Sequence, residues 1–136
     1  MGIEENKAIL RSTYERWWNG GDADSVDEIV ADDYIDHSGV VSNKGKEGLK
    51  QLIREFHHGF PDMKEELDDA IAESDKVVGR FRMWGTHTGP FLGIPSTGRQ
   101  VEITGIDIFR IVDGKIVEMW YEDDLMSMMR QLGVVA

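Results

Sequence analysis

The hydrophobic period of the chain changes near Asp62, and this change constrains the fold more than any other feature. Before it, apolar residues recur at helical spacing, most clearly at Leu49, Leu52, Ile53 and Phe56. After it, apolar and polar residues alternate, which predicts strands at Met63–Glu73, Val77–Thr88, Val101–Val112 and Ile116–Asp123. Helices followed by such an antiparallel meander predict one α+β domain over residues 1–136, with the helices against one face of a curved sheet.

The remaining segments fit the same order of elements. Residues 4–18 have helical spacing and end at the breaker NGGD, and a short helix capped by Asp24 or Ser25 follows. The stretch DYIDH, residues 33–37, is interpreted as a short extended piece before a loop. Asp113-Gly114 is a strong hairpin signal between the last two strands. Residues 124–132 are interpreted as a closing helical segment.

The charge and composition exclude several classes of partner. The chain has 15 Lys and Arg residues against 26 Asp and Glu residues, a net charge of −11. Such a surface repels phosphates and anionic lipid, so we expect neither nucleic acid nor a membrane as a partner. No cysteine is present, which excludes disulfides and thiolate catalysis. The N-terminal residues lack the order of a signal peptide, and we expect a cytoplasmic protein.

Titratable side chains fall on strand faces that are otherwise apolar. Alternation places Asp107 with Ile103, Phe109 and Ile111, on the face expected to meet the helices. His87 shares a face with Phe81 and Met83 on the preceding strand in the same way. Glycines inside these strands, at positions 79, 85 and 105, are costly unless the sheet bends or leaves room there. The pattern therefore predicts a pocket lined by polar groups inside the curved sheet.

No pattern typical of a metal or cofactor site is present. The four histidines are scattered, and none stands at a spacing that would place two ligands on one helix face. No glycine-rich loop leads from a strand into a helix, so nucleotide binding has no support. We expect no metal and no cofactor.

The chain resembles the SnoaL-like polyketide cyclases of the nuclear-transport-factor-2-like superfamily. The resemblance is carried by WWNGGDADSVDEIVADDYIDH at 17–37, by FPDM at 60–63, and above all by GTHTGPFLGIPSTGRQVEITGIDIFRIVDGKIVEMWYEDDLMSMMRQLG at 85–133. It implies a cone-shaped α+β fold that encloses a pocket. It also implies a homodimer through the outer face of the sheet, which strand parity assigns to Arg80, Arg82, Trp84, Thr104, Ile106 and Ile108.

The resemblance also implies a reaction and a set of site residues. The family's characterised cyclases close a ring by intramolecular aldol condensation without a cofactor, and an aspartate shortly after the Trp of the last strand is the acid/base. That position matches Asp124, four residues after Trp120, although a shift of one residue would give the role to Asp123. The assisting residues of the family pattern match His37, His87 and Asp107.

Each of these residues also has a structural interpretation. Asp124 can cap the C-terminal helix instead, and Asp107 can be a buried carboxylate paired with Arg80, Arg82 or an N–H group. His87 can be a strand-end residue bonded to a threonine, and His37 an ordinary loop-edge residue. The large apolar residues are expected to form core and pocket wall together: Trp17, Phe81, Met83, Phe91, Phe109 and Trp120.

Two functions follow from these expectations. The first is a cofactor-independent cyclase or isomerase that uses an aspartate as acid/base on a small hydrophobic carbonyl compound. The second is a non-catalytic protein of the same fold that binds such a compound without changing it.

Overall fold

The computed structural model describes residues 2–136. The helices are α1 (Ile3–Thr13), α2 (Val26–Ile29), α3 (Lys46–Gly59) and α4 (Leu125–Leu132). The strands are β1 (Val30–Asp36), β2 (Lys64–Glu73), β3 (Lys76–Thr86), β4 (Gln100–Val112) and β5 (Lys115–Asp123). A π-helical turn at Tyr14–Trp18 continues α1, and a 3-10 turn at Ala23–Ser25 precedes α2. None of the helices in residues 2–136 is both long and apolar enough to cross a membrane.

The five strands form one sheet in the order β1-β5-β4-β3-β2. Strands β2 to β5 make the predicted antiparallel meander, and the helices pack against its inner face, so the predicted α+β fold is confirmed. One strand differs from the prediction, because β1 pairs with β5 in parallel and makes the sheet mixed. The acidic stretch DYIDH has a low strand propensity and therefore predicted β1 only weakly. Pairing with β5 holds β1 at the edge of the sheet.

A bulge in β5 reverses the faces of that strand. Arg110 pairs with Glu118 but Ile111 pairs with Ile116, so Val117 is an extra residue in the ladder. Ile116 and Met119 are consequently both buried, although simple alternation places them on opposite faces. Beyond the bulge, the residues that face the helices are Met119, Tyr121 and Asp123. The predicted placement of Trp120 and Asp124 toward the pocket is therefore wrong.

The core lies between the inner face of the sheet and the helices. Helix α3 contributes Leu49, Leu52, Ile53 and Phe56, all buried and spaced as the sequence predicted. The loop after β3 adds Phe91, whose ring centroid lies 4.7 Å from that of Phe56 and 5.2 Å from that of Phe60. These aromatic contacts anchor the loop at residues 87–99 to the core through Phe91, although most of the loop is exposed.

The outer face of the sheet carries the residues that parity assigned to it. Arg80, Thr104 and Ile106 are exposed, and Arg82 and Trp84 are half-buried against each other, 5.5 Å from guanidinium carbon to ring centroid. Ile106 is 46% exposed, which is unusual for an isoleucine in a central strand. The homodimer through this face stays a prediction.

Candidate active site

A narrow cavity lies between the inner face of the sheet, helix α3 and the π-helical turn that follows α1. Its volume is about 20 Å³, enough for about one water molecule. It is lined by Trp18, Leu52, Phe56, Glu65, Phe81, Asp107, Met119, Tyr121 and Asp123. Three of these residues carry carboxyl groups, and no lysine, arginine or histidine lines the cavity. An apolar wall around unneutralised acids is the setting in which carboxyl pKa values rise.

Asp107 is the most deeply buried of the three acids. Its side chain is 6% exposed, and its Oδ2 accepts a hydrogen bond of 2.6 Å from the hydroxyl of Tyr14. Burial, reinforced by the charge of Asp123, raises the pKa of Asp107 to about 8, against a smaller lowering effect of the Tyr14 bond. Asp107 pairs neither with Arg80 nor with Arg82, both of which face outward. The carboxyl group is therefore mainly protonated near neutral pH.

The Tyr14–Asp107 contact depends on a local feature of each element. Tyr14 begins the π-helical turn. Such turns are rare in proteins as a whole, and those that exist are frequently found at functional sites. Opposite Asp107, strand β3 has Gly79, and a β-carbon there would lie 2.9 Å from the Tyr14 hydroxyl. The sequence predicted that this glycine leaves room beside Asp107. In the structure that room is taken by the phenol of Tyr14, which donates a hydrogen bond to the Asp107 carboxyl group.

Asp123 is the second acid, at the end of β5. Burial raises the pKa of its carboxyl group to about 6, with a further contribution from the neighbouring charge of Glu122. Its Oδ1 is buried and has no hydrogen-bond partner. Gly105, the cross-strand neighbour, makes room for it, because a β-carbon there would lie 2.7 Å from this oxygen. One carboxyl oxygen of Asp123 therefore makes no hydrogen bond within the protein.

Glu65 is a third acid that the sequence interpretation missed. Its Oε1 is buried without a partner, and burial together with Asp107 and Asp123 raises its pKa well above the ordinary value. The side chain of Asn19 holds its backbone on both sides, donating to Glu65 O at 2.9 Å and accepting from Glu65 N at 2.7 Å. Strand parity could have found it, since Met63, Glu65 and Leu67 share one face of the predicted strand.

Asp124 does not line the cavity. It is exposed, and its carboxylate caps α4 by accepting a hydrogen bond of 3.0 Å from Ser127 N. The capping interpretation of the sequence is confirmed, and the residue that lines the cavity is its neighbour Asp123. The physical reason is the bulge in β5, which shifts by one residue the side chains that reach the interior.

Neither predicted histidine reaches the cavity. His37 is exposed, with its Nε2 2.7 Å from Glu118 Oε2 and its ring stacked 4.8 Å from Trp120 on the outer side. His87 is buried as predicted, but its Nδ1 accepts a hydrogen bond of 3.2 Å from Thr97 N. It ties the end of β3 to the following loop, in agreement with the interpretation as a strand-end residue bonded to a threonine.

The predicted aromatic and apolar pocket residues divide into three groups. Phe81 lines the cavity, whereas Trp17, Met83, Phe91 and Phe109 are buried in the core away from it. Trp120 lies on the outer face, where Lys76 Nζ approaches its ring at 5.4 Å. The wall residues that sequence reasoning did not single out are Trp18, Leu52, Phe56, Met119 and Tyr121.

A smaller polar cluster lies behind Tyr121. Asp36 is 1% exposed and accepts hydrogen bonds of 2.7 Å from Ser38 N and 3.3 Å from the Tyr121 hydroxyl. Burial raises the pKa of Tyr121, so its hydroxyl stays protonated. Asp36 thereby fixes the phenol that forms one wall of the cavity. Within residues 2–136, no group of three His, Asp or Glu side chains has a geometry that could hold a metal ion.

Replacement of Gly105 by alanine is expected to disturb the site directly. The new β-carbon would lie 2.7 Å from Asp123 Oδ1 and 2.8 Å from Phe81 Cε1, so both side chains must move. Overpacking of this kind costs about 1–3 kcal/mol of unfolding free energy, measurable by chemical denaturation. Gly39→Ala is the control, because nothing lies within 4 Å of a β-carbon at that position. Equal stability of the two variants would contradict the close fit.

The fold and the site define a class of protein: an α+β cone with coupled carboxyl groups in an enclosed apolar cavity. Comparisons with known proteins identify the family. The model of the SnoaL-like polyketide cyclase family matches residues 8–132, and the chain belongs to this family.

Characterised relatives and solved structures agree with this assignment. The chain is 28% identical over 120 residues to an aklanonic acid methyl ester cyclase of Streptomyces sp. (strain C5), covering 85% of this chain and 74% of that protein. It is 29% identical over 119 residues to the nogalonic acid methyl ester cyclase of Streptomyces nogalater, covering 85% and 89%. The structure of TsrD from Streptomyces laurentii superposes with a TM-score of 0.89 at 32% identity, over 99% of both chains.

Proposed function

We propose that this protein is a cofactor-independent cyclase that closes a ring by intramolecular aldol addition. The observation that carries the proposal is the pair of acids in one cavity whose environments separate their pKa values, about 6 for Asp123 and about 8 for Asp107. Near neutral pH one carboxyl group is mainly ionised and the other mainly protonated. Such a pair is suited to act as base and acid in the same reaction.

In the proposed step, Asp123 removes a proton from the carbon next to a carbonyl group of the substrate. The resulting enolate carbon attacks a second carbonyl carbon of the same molecule, and one carbon–carbon bond forms. Asp107, or Glu65, donates a proton to the oxygen of the attacked carbonyl. The proton on Asp123 later returns to Asp107 or Glu65, so no atom is gained or lost and the product is an isomer of the substrate.

The surroundings of the two acids support these roles. A raised pKa makes Asp123 a stronger base than an exposed aspartate, by about 1.4 kcal/mol for each pKa unit. Its Oδ1 has no partner in the protein, so no internal hydrogen bond must break before it accepts a proton. The Tyr14 hydroxyl occupies Oδ2 of Asp107 and leaves Oδ1 to carry the proton toward the cavity. A donor at a developing oxyanion contributes about 2.7–4 kcal/mol.

The experiment that tests the proposal uses the substrates named for the relatives. Aklanonic acid methyl ester and nogalonic acid methyl ester are each incubated with the protein, and the products are separated by chromatography with mass detection. Ring closure is expected to give a product of unchanged mass and altered retention, absent without protein. If both esters are recovered intact and the protein retains an unchanged carbonyl compound in native mass spectrometry, it is a binding protein, the alternative function.

The two pKa values predict a bell-shaped dependence of kcat/KM on pH. Activity rises as Asp123 loses its proton near pH 6 and falls as Asp107 loses its proton near pH 8. The Asp107→Asn variant should keep the rise on the acid side and lose the fall on the alkaline side. An alkaline limb that survives in this variant would assign the fall to another group.

A further inference from the structure

Leu52 of helix α3 lies between two spaces. On one side it lines the cavity that holds Asp107 and Asp123, and on the other it lines a surface groove of about 640 Å³. Among residues 2–136 it is the one side chain shared by these two spaces. It is buried, 4% exposed, and contributes to the walls of both spaces.

The sizes of the two spaces are unequal. A cavity of about 20 Å³ has room for about one water molecule, whereas pockets for small organic molecules measure about 300–1,000 Å³. A ring-closing substrate therefore cannot lie entirely beside the two acids. The groove is large enough for the rest of such a molecule, and it meets the cavity at Leu52.

We propose that Leu52 is a gate that separates the groove from the cavity and selects the part of the substrate that enters. The inference rests on the proposed function and adds a binding mode to it. The substrate is an elongated molecule whose body lies in the groove, while its reacting carbonyl end passes Leu52 to reach Asp123. A change of the leucine side-chain rotamer opens the passage without movement of the helix.

The walls of the groove indicate what kind of body it holds. Apolar contact comes from Val41 on one side and from Leu92, which is 41% exposed, on the other. Polar groups come from the exposed stripe of α3, where Arg54 and His58 stand close to the groove. The acid of this stripe, Glu55, is occupied, because its Oε1 accepts a hydrogen bond of 2.9 Å from Leu92 N.

These groups favour an apolar body that carries a hydroxyl or carboxylate group. Arg54 can donate to such an oxygen, since its contact with Asp24 is an exposed pair at 3.4 Å that gives little stabilisation. The cavity, in contrast to the groove, is lined by acidic residues and repels an anion. The substrate class is thus a neutral ketone at the cavity end with an oxygen-bearing apolar body in the groove.

The gate is tested by binding and not by turnover. The probe is 6-acetyl-2-naphthol, a two-ring methyl ketone with a hydroxyl group at the far end, measured by calorimetry. Leu52→Ala is expected to raise its affinity about tenfold, because the acetyl end gains buried contact inside the cavity, and Leu52→Phe to lower it about tenfold. Leu52→Val, a smaller truncation, should change affinity in the same direction as alanine if the alanine variant does not fold.

Leu49→Ala is the matched control. Leu49 is fully buried one turn earlier on the same helix and lines neither space, so its truncation should leave probe affinity within about twofold of the unmodified protein. Arg54→Ala should weaken 6-acetyl-2-naphthol but not 2-acetylnaphthalene, which lacks the hydroxyl group. Equal effects of the Leu49 and Leu52 truncations on probe affinity would overturn the gate. Equal binding of the two probes by Arg54→Ala, relative to the unmodified protein, would overturn the assignment of the groove.

The outcome is independent of the chemistry. If the Leu52 variants change probe affinity as expected and no ester is cyclised, the gate holds and the proposed reaction fails. If the esters are cyclised but the Leu52 variants bind the probe like the Leu49 control, the reaction holds and the substrate enters by another route.

Discussion

Replacement of Asp123 by asparagine is expected to lower the rate of ring closure by about 10²–10⁴-fold, the range for loss of a general base. Asparagine keeps the shape of the side chain but cannot accept a proton from carbon. The fold should be retained, because Asp123 Oδ1 makes no hydrogen bond within the protein. The measurement is turnover of the ester that is cyclised, together with binding of the same ester by the variant.

Asp124→Asn is the matched control, one position along the chain. Asparagine caps a helix about as well as aspartate does, so the bond from Ser127 N is kept and stability should change little. Activity near that of the unmodified protein is expected, since Asp124 is exposed outside the cavity. The reverse result, an inactive Asp124→Asn and an active Asp123→Asn, would return the base to the position that the family resemblance implied.

Replacement of Asp107 by asparagine is expected to stabilise the protein at alkaline pH while it lowers activity. In the folded chain the pKa of Asp107 is about 8, against 3.8 for the ordinary group. Between these values the folded state binds a proton that the unfolded state has released, so stability is lost as the pH rises. Asparagine does not titrate, and its amide oxygen can still accept the Tyr14 bond.

The expected gain is about 2–5 kcal/mol in unfolding free energy at pH 8.5, and it should nearly vanish at pH 4. Denaturant unfolding followed by tryptophan fluorescence at the two pH values measures it. Asp33→Asn, at an exposed position of β1, is the control and should show no comparable dependence on pH. A gain of the same size at both pH values would mean that Asp107 is not protonated in the folded protein.

Much of the fold could be predicted because it depends on local patterns. Three features depend only on residues close together in the sequence: the helical spacing of α3, the alternation in β2 to β4, and the Asp113-Gly114 turn. The structure has all three. Alternation also placed Asp107 on the buried face, beside Gly79. The space above Gly79 is occupied by the side chain of Tyr14. The extended conformation at residues 33–37 was predicted, but its parallel pairing with β5 was not, because the two strands are far apart in the chain.

The site residues were harder to predict, because one residue of register decides which side chain faces inward. The bulge at Val117 has no clear signature in the sequence, yet it exchanges Asp124 for Asp123 and turns Trp120 outward. His87 was placed on the correct face, but its distance from the acids depends on how the loop at 87–99 folds over Phe60. Contacts between residues far apart in the chain determine both outcomes.

The sequence by itself determined that helices would cover a curved sheet and that a carboxyl group would be buried in it, because hydrophobic periodicity acts over neighbouring residues. Tertiary structure alone decided that Glu65, Asp107 and Asp123 would meet around one small space. A carboxyl group acquires a pKa of 6 or 8 only from the apolar wall and the other charges that folding brings around it.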